Sequence, residues 1–148
     1  MKKVNEAVSM VEGDFNCSQA IFSTYGPEYG NIDRELCLKI AENFGGGIGY
    51  LGNVCGAVTG AVMVIGASYG RVKSDDSDAK AKTNKLTNKF IQQFKARNNT
   101  IICKELIDFD ISTEEKREQA RAQKIFENCP NYVKDAAEIL EELLTKKV

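Results

Sequence analysis

Apolar residues recur at helical spacing over most of this chain, and nowhere do they alternate convincingly with period two. Near the N-terminus, apolar positions from Val4 to Val11 share one helical face, and Gly13 supplies a stop. The strongest periodic signal follows Cys129, at Val133, Ala136, Ala137, Leu140, Leu143 and Leu144. We find no internal repeat, and only residues 100–102 resemble a strand. The pattern predicts a compact all-α bundle.

Two helices are predicted between Gly13 and the glycine run at 45–47. The first runs from Cys17 to Tyr25 and ends at Gly26-Pro27, since glycine and proline both disfavour a helix interior. Asp33 caps the second. Its predicted apolar face consists of Leu36, Ile40 and Phe44.

Helical signals continue in the second half of the chain. A stripe formed by Leu86, Phe90, Ile91 and Phe94 predicts a helix, and the polar stretch 74–81 is either a loop or its exposed start. Residues 112–115 read as a capping box, which predicts another helix that reaches about residue 127.

The segment 43–70 carries no charged residue and is long enough, in principle, to cross a bilayer. Nine of its residues are glycine, however, and its compact apolar part, 54–67, is shorter than the ~20 residues that a span needs. We interpret it as a glycine-rich loop that leads into a buried central helix over about 55–69. A membrane span is the less favoured alternative.

Length and charge narrow the class of protein. With 148 residues, the chain predicts a single domain over 1–148. The net charge of −1 and the absence of a basic stripe argue against nucleic acid as a partner. The N-terminus lacks an apolar secretory core, so we expect a cytoplasmic protein. In that reducing compartment, cysteines more often bind metals or carry out redox chemistry than form structural disulfides.

Four of the five cysteines stand where a helix is predicted to begin: Cys17, Cys55, Cys103 and Cys129. The start of a helix presents unpaired N–H groups and a partial positive charge, which favour thiolate over thiol. If the four sulfurs converge, they would form a metal, cluster or disulfide site. If they do not converge, they are small core residues, as free cysteines commonly are.

Histidine is absent, which excludes Ser-His-Asp and Cys-His nucleophiles, Rieske centres and histidine-containing zinc sites. Residues 47–52 match G-x-G-x-x-G, but the preceding segment is predicted to be helical rather than a strand. We therefore interpret them as a loop that delivers Cys55 to its helix. On that helix, Gly56 and Gly60 share a face and would let another backbone, or a cofactor, approach closely.

The cysteines occur in four recognisable segments: FNCSQA at 15–20, VCGAVTG at 54–60, CKEL at 103–106 and CPNYV at 129–133. In this order the segments resemble the family of redox-active proteins named for the pattern C…GCAxxG…C…C. The resemblance extends from about Val4 to Leu144. Cys37 lies outside the pattern, and Val54 stands where the family name suggests a glycine.

The resemblance implies a redox role and favours an iron–sulfur cluster over zinc, whereas all-thiolate coordination by itself fits both. The implied ligands are Cys17, Cys55, Cys103 and Cys129, with Gly56 and Gly60 giving clearance and the 45–52 loop shielding the cluster. A redox protein, or an oxidoreductase or transporter of which the chain is a subunit, is the implied partner.

Three alternatives remain open at this stage. The first is a metal-free thiol–disulfide oxidoreductase in which Cys55 is the low-pKa thiolate. The second is a non-enzymatic accessory subunit, or a homo-oligomer, that uses an apolar patch at Ile48, Tyr50 and Leu51 as its partner surface. The third is a structural helical domain whose cysteines are core residues.

Overall fold

The computed structural model describes residues 2–145, and these residues confirm the all-α prediction. Two single 3₁₀ turns, Glu42–Phe44 and Ile125–Asn128, supplement the α-helices. The α-helices are α1 (Lys2–Glu12), α2 (Cys17–Gly30), α3 (Arg34–Ala41), α4 (Gly56–Tyr69), α5 (Ser77–Asn98), α6 (Cys103–Ile107), α7 (Glu114–Ala122) and α8 (Cys129–Thr145).

The apolar helix α4 lies at the centre and packs most extensively against α2. It also contacts α5 and α8, while α1 packs against α2 and α8. Their inward faces form one shared core that includes Ile21, Ile65, Phe94 and Leu140. Within residues 2–145, no helix combines the length and the apolar character that crossing a membrane would require.

The predicted end of α2 at Gly26-Pro27 is wrong, because the helix continues to Gly30. Proline fixes φ near the helical value, so it is tolerated where packing holds the rest of the helix. Gly26 is needed for clearance, since a Cβ there would lie 2.7 Å from the Cys37 sulfur. The helix ends where Asn31 adopts a left-handed conformation with φ 53°.

The predicted apolar face of α3 is also wrong. Leu36 and Ile40 remain 48% and 44% exposed, whereas Cys37 and Ala41 are fully buried against the core. The small residues face α2 because the two helices pack closely together, with the Cys37 sulfur lying against Gly26 of α2. Cys37 is thus a core residue, and the Asp33 cap is confirmed by its hydrogen bond from the Leu36 N–H.

Two predicted helix starts need adjustment. The polar stretch 74–81 contains the exposed beginning of α5, which Asp76 caps through the Ala79 N–H. The predicted capping box at 112–115 is displaced by one residue, because the Thr113 hydroxyl accepts from the Lys116 N–H. Threonine is also among the preferred N-cap residues, so the helix can begin one residue later than predicted.

One buried polar contact ties α2 to α8 across the core. The Tyr25 side chain is fully buried, and its hydroxyl donates to the Glu141 carboxylate. Burial, and then the hydrogen bond to Glu141, raise the pKa of Tyr25 well above its ordinary value of 10. The folded protein therefore keeps this proton at a pH where the unfolded chain releases it.

Tyr25→Phe is expected to lower the free energy of unfolding by about 1–2 kcal/mol at neutral pH, because Glu141 loses its donor. The wild-type protein should also lose stability as pH rises above about 10, where unfolded Tyr25 ionises and folded Tyr25 cannot. The variant should lose less stability over that range. Urea unfolding at pH 7 and at pH 10.5 tests both statements, and parallel losses in the two proteins would contradict the second.

Candidate functional site

The starts of four helices meet at one cavity of about 250 Å³. Cys17, Cys55, Cys103 and Cys129 all line it, and each lies at the first residue or N-cap of its helix. Most of the remaining wall is apolar or aromatic and includes Val11, Phe15, Tyr50, Leu106, Phe126 and Tyr132. The structure thus brings together all four cysteines that the sequence singled out, and leaves Cys37 outside.

Close packing of α4 on α2 places Cys17 beside Cys55. A Cβ built on Gly56 would lie 3.2 Å from the Cys17 Cβ and 2.9 Å from the Ser18 nitrogen. A Cβ on Gly60 would lie 2.9 Å from both the Ile21 Cβ and the Ser18 carbonyl oxygen. The close approach expected at these two glycines is therefore made by the α2 backbone.

A single antiparallel bridge between Val54 and Ile102 holds Cys55 and Cys103 together. The Cys55 N–H donates to the Ile101 oxygen at 2.7 Å, and the Cys103 N–H donates to the Asn53 oxygen at 2.6 Å. The strand-like 100–102 segment thus positions Cys103 next to Cys55. Val54, which departs from the family pattern, is a β-branched residue well suited to this extended pairing.

The fourth cysteine is positioned by α8. The Tyr132 hydroxyl, one turn after Cys129, donates to the Leu106 oxygen of α6 at 3.0 Å. This bond links the helix that begins at Cys129 with the one that begins at Cys103. At α2, Asn16 caps the helix start in a reciprocal pair with Gln19, so the backbone next to Cys17 is also held.

Burial controls the protonation of Cys55 and Cys103. The backbone N–H groups of Ala57 and Val58 lower the pKa of Cys55, but burial outweighs them and raises it to about 11. Burial likewise raises the pKa of Cys103 to about 12. The expectation that Cys55 is the low-pKa thiolate is therefore wrong, because the helix start does not compensate for the loss of water.

Cys17 and Cys129 are hydrogen-bonded to each other. This contact lowers the pKa of Cys129 and, together with burial, raises that of Cys17. Cys129 is therefore the sulfur that ionises first in the metal-free, reduced protein. A thiol and a neighbouring sulfur in this arrangement are the reactants of disulfide chemistry.

The described residues contain no group of three or more cysteine, aspartate or glutamate side chains placed to hold a metal ion. Sequence reasoning also missed Arg121, the one charged residue lining the cavity within the described part of the chain. The sequence signal that could have identified Arg121 is its spacing from Arg117, because residues four apart share one face of a helix.

Comparison with known protein families identifies the family of this chain. A family model described as "Putative redox-active protein (C_GCAxxG_C_C)" matches residues 15–143. No curated protein and no solved structure matches the chain. The matched range contains all four cysteines of the cavity and most of the chain. The chain therefore belongs to the C_GCAxxG_C_C family.

Proposed function

We propose that this redox protein transfers electrons through an iron–sulfur cluster held by Cys17, Cys55, Cys103 and Cys129. The observation that carries the proposal is the convergence of four cysteines, from four separate helix starts, on one cavity of about 250 Å³. A disulfide would use only two of the four cysteines, and cysteines that merely pack the core would not need to line a cavity. A four-thiolate cluster uses all four residues and the space between them.

The residues around the cavity fit such a group. Cysteine thiolates are the usual ligands of iron–sulfur clusters, and N–H groups at helix starts offset their negative charge. All-thiolate coordination by itself fits both zinc and an iron–sulfur cluster. The redox description of the family favours the cluster over zinc. The cluster would supply one-electron chemistry.

The chain's own side chains would tune that chemistry. The apolar and aromatic wall limits the access of water, and Arg121 places a positive charge at the cavity. Low solvent access and nearby charge are two of the factors that set cluster potentials. Because the pKa values of Cys55 and Cys103 are raised to about 11 and 12, loading the site must release protons.

Protein purified without oxygen is expected to contain iron and acid-labile sulfide in matching amounts and to absorb visible light. A chelator together with an oxidant should remove both the iron and the absorbance. Zinc without sulfide would replace the proposal with a structural or storage site. Metal-free protein whose thiols oxidise in pairs would support the second candidate instead.

That second candidate is a metal-free dithiol–disulfide site, favoured by the hydrogen bond between Cys17 and Cys129. The Cys129 thiolate would attack a partner disulfide, and Cys17 would then resolve the mixed disulfide, so that two thiols become one disulfide while the partner is reduced to two thiols. Redox titration with glutathione should show one two-electron couple. Cys17→Ser should abolish that couple, and Cys55→Ser should retain it.

A further inference from the structure

The loop 46–52 borders the cysteine cavity and exposes apolar side chains. Ile48, Tyr50 and Leu51 are 41%, 45% and 61% exposed, and Phe15 beside the cavity is 39% exposed. Tyr50 and Phe15 line the cavity themselves. Any molecule that exchanges electrons with the cysteines from this side of the cavity would therefore meet apolar surface.

The backbone holds this loop in an unfavourable conformation. Residues 46–50 all have positive φ, including Ile48 at 67° and Tyr50 at 64°. A β-branched residue in this region is a genuine outlier that the surroundings must stabilise. Backbone hydrogen bonds across the loop do so, with the Gly49 N–H donating to the Asn43 oxygen at 2.8 Å and the Asn53 N–H to the Gly47 oxygen at 2.9 Å. The exposure of Ile48 and Tyr50 is thus built into the fold.

Cations border this apolar surface. The Arg117 guanidinium lies 4.5 Å from the Tyr50 ring centroid, and Arg121 lines the cavity one turn along α7. Lys104 packs against Gly52, where an added Cβ would come within 2.9 Å of its Cβ. Within residues 2–145, none of these three cations forms an ion pair with a carboxylate.

We infer that residues 48–51 with Lys104, Arg117 and Arg121 form a docking surface for an acidic redox protein, whose carboxylates surround an apolar centre. An apolar centre with a charged rim is the usual composition of a specific interface, and opposite charges on the two rims speed encounter. A second copy of the chain would present the same cation-bordered surface, so charge complementarity favours an acidic partner over a twofold dimer.

The inference rests on the proposed redox role of the cysteines, but its test uses metal-free, reduced protein, so a missing cluster would not affect it. The probe is an acidic plant-type ferredoxin added to ¹⁵N-labelled chain. We expect amide shifts confined to residues 46–52, α6 and α7. We also expect affinity to fall at least about tenfold when salt rises from low to near-molar concentration, because exposed charges are then screened.

Substitutions test which residues of the docking surface contact ferredoxin. The triple variant Lys104→Gln, Arg117→Gln and Arg121→Gln should weaken ferredoxin binding about tenfold or more. Leu51→Ser should also weaken binding, but it should leave the salt dependence of the affinity unchanged. Val72→Ser and Lys80→Gln, which change an exposed apolar residue and an exposed cation elsewhere, should have no effect.

Three results would overturn the inference. Loop amides that shift with the chain's own concentration would show that a second copy covers the surface. Tighter binding of a single-stranded oligonucleotide than of ferredoxin would assign the cations to phosphates. An absence of ferredoxin-induced shifts at low salt would remove the surface as an acidic-protein site.

Discussion

Cys55→Ser is expected to abolish the binding of iron and sulfide, whereas Cys37→Ser should leave both unchanged. Both cysteines are buried, at 4% and 0% exposure, so the two variants compare the same substitution in similar surroundings. Cys55 lines the cavity, while the Cys37 sulfur packs against Gly26 of α2. A serine hydroxyl is a far poorer ligand for a cluster than a thiolate.

Iron and sulfide per chain, measured after purification without oxygen, test this expectation. Thermal unfolding of both variants shows whether a loss of metal reflects a loss of fold. Equal metal content in two folded variants would remove Cys55 from the ligand set. Loss of metal from Cys37→Ser alone would require a different assignment of the site.

Gly60→Val is expected to lower the free energy of unfolding by about 3 kcal/mol, towards the upper end of overpacking costs. Even a bare Cβ at Gly60 would lie 2.9 Å from the Ser18 carbonyl oxygen and from the Ile21 Cβ. Neither atom is the flexible end of a side chain, so α2 and α4 must separate. That separation would also move Cys17 away from Cys55, and we expect lower cofactor occupancy.

Gly66→Val is the matched control, because a Cβ at Gly66 meets nothing within 4 Å. It replaces glycine by valine in the same helix, where the small gain in helix propensity should leave stability within about 0.5 kcal/mol of wild type. Urea unfolding measures both variants. Equal stabilities would mean that the contact between α2 and α4 yields easily, contrary to the packing described.

Much of the helical framework could be predicted because its signals are local. The Asp33 cap and the stripe at Phe90 and Phe94 both depend on neighbouring residues alone. The same local signals placed four cysteines at helix starts. Predictions failed where a tertiary contact outweighed a local preference. Gly26 was predicted to end α2, but it lies inside the helix, where its lack of a side chain leaves room for the Cys37 sulfur.

The protonation of the cysteines was beyond the reach of sequence reasoning for a related reason. The charge at a helix start is a local property, and it pointed to Cys55 as the thiolate. Burial and the hydrogen bond between Cys17 and Cys129 depend on residues over 100 positions apart. Burial therefore raises the pKa of Cys55, and the hydrogen bond with Cys17 lowers that of Cys129.

The sequence by itself determined the helical class, the absence of histidine chemistry and the position of four of the five cysteines at helix starts, since composition and short-range periodicity are properties of the unfolded chain too. Only the tertiary structure decided that the four starts share one cavity. That outcome depends on the glycine contact of α4 with α2, the bridge between Val54 and Ile102, and the bond from Tyr132 to Leu106. Each joins segments distant along the chain, and helical periodicity says only which face is buried, not which helix covers it.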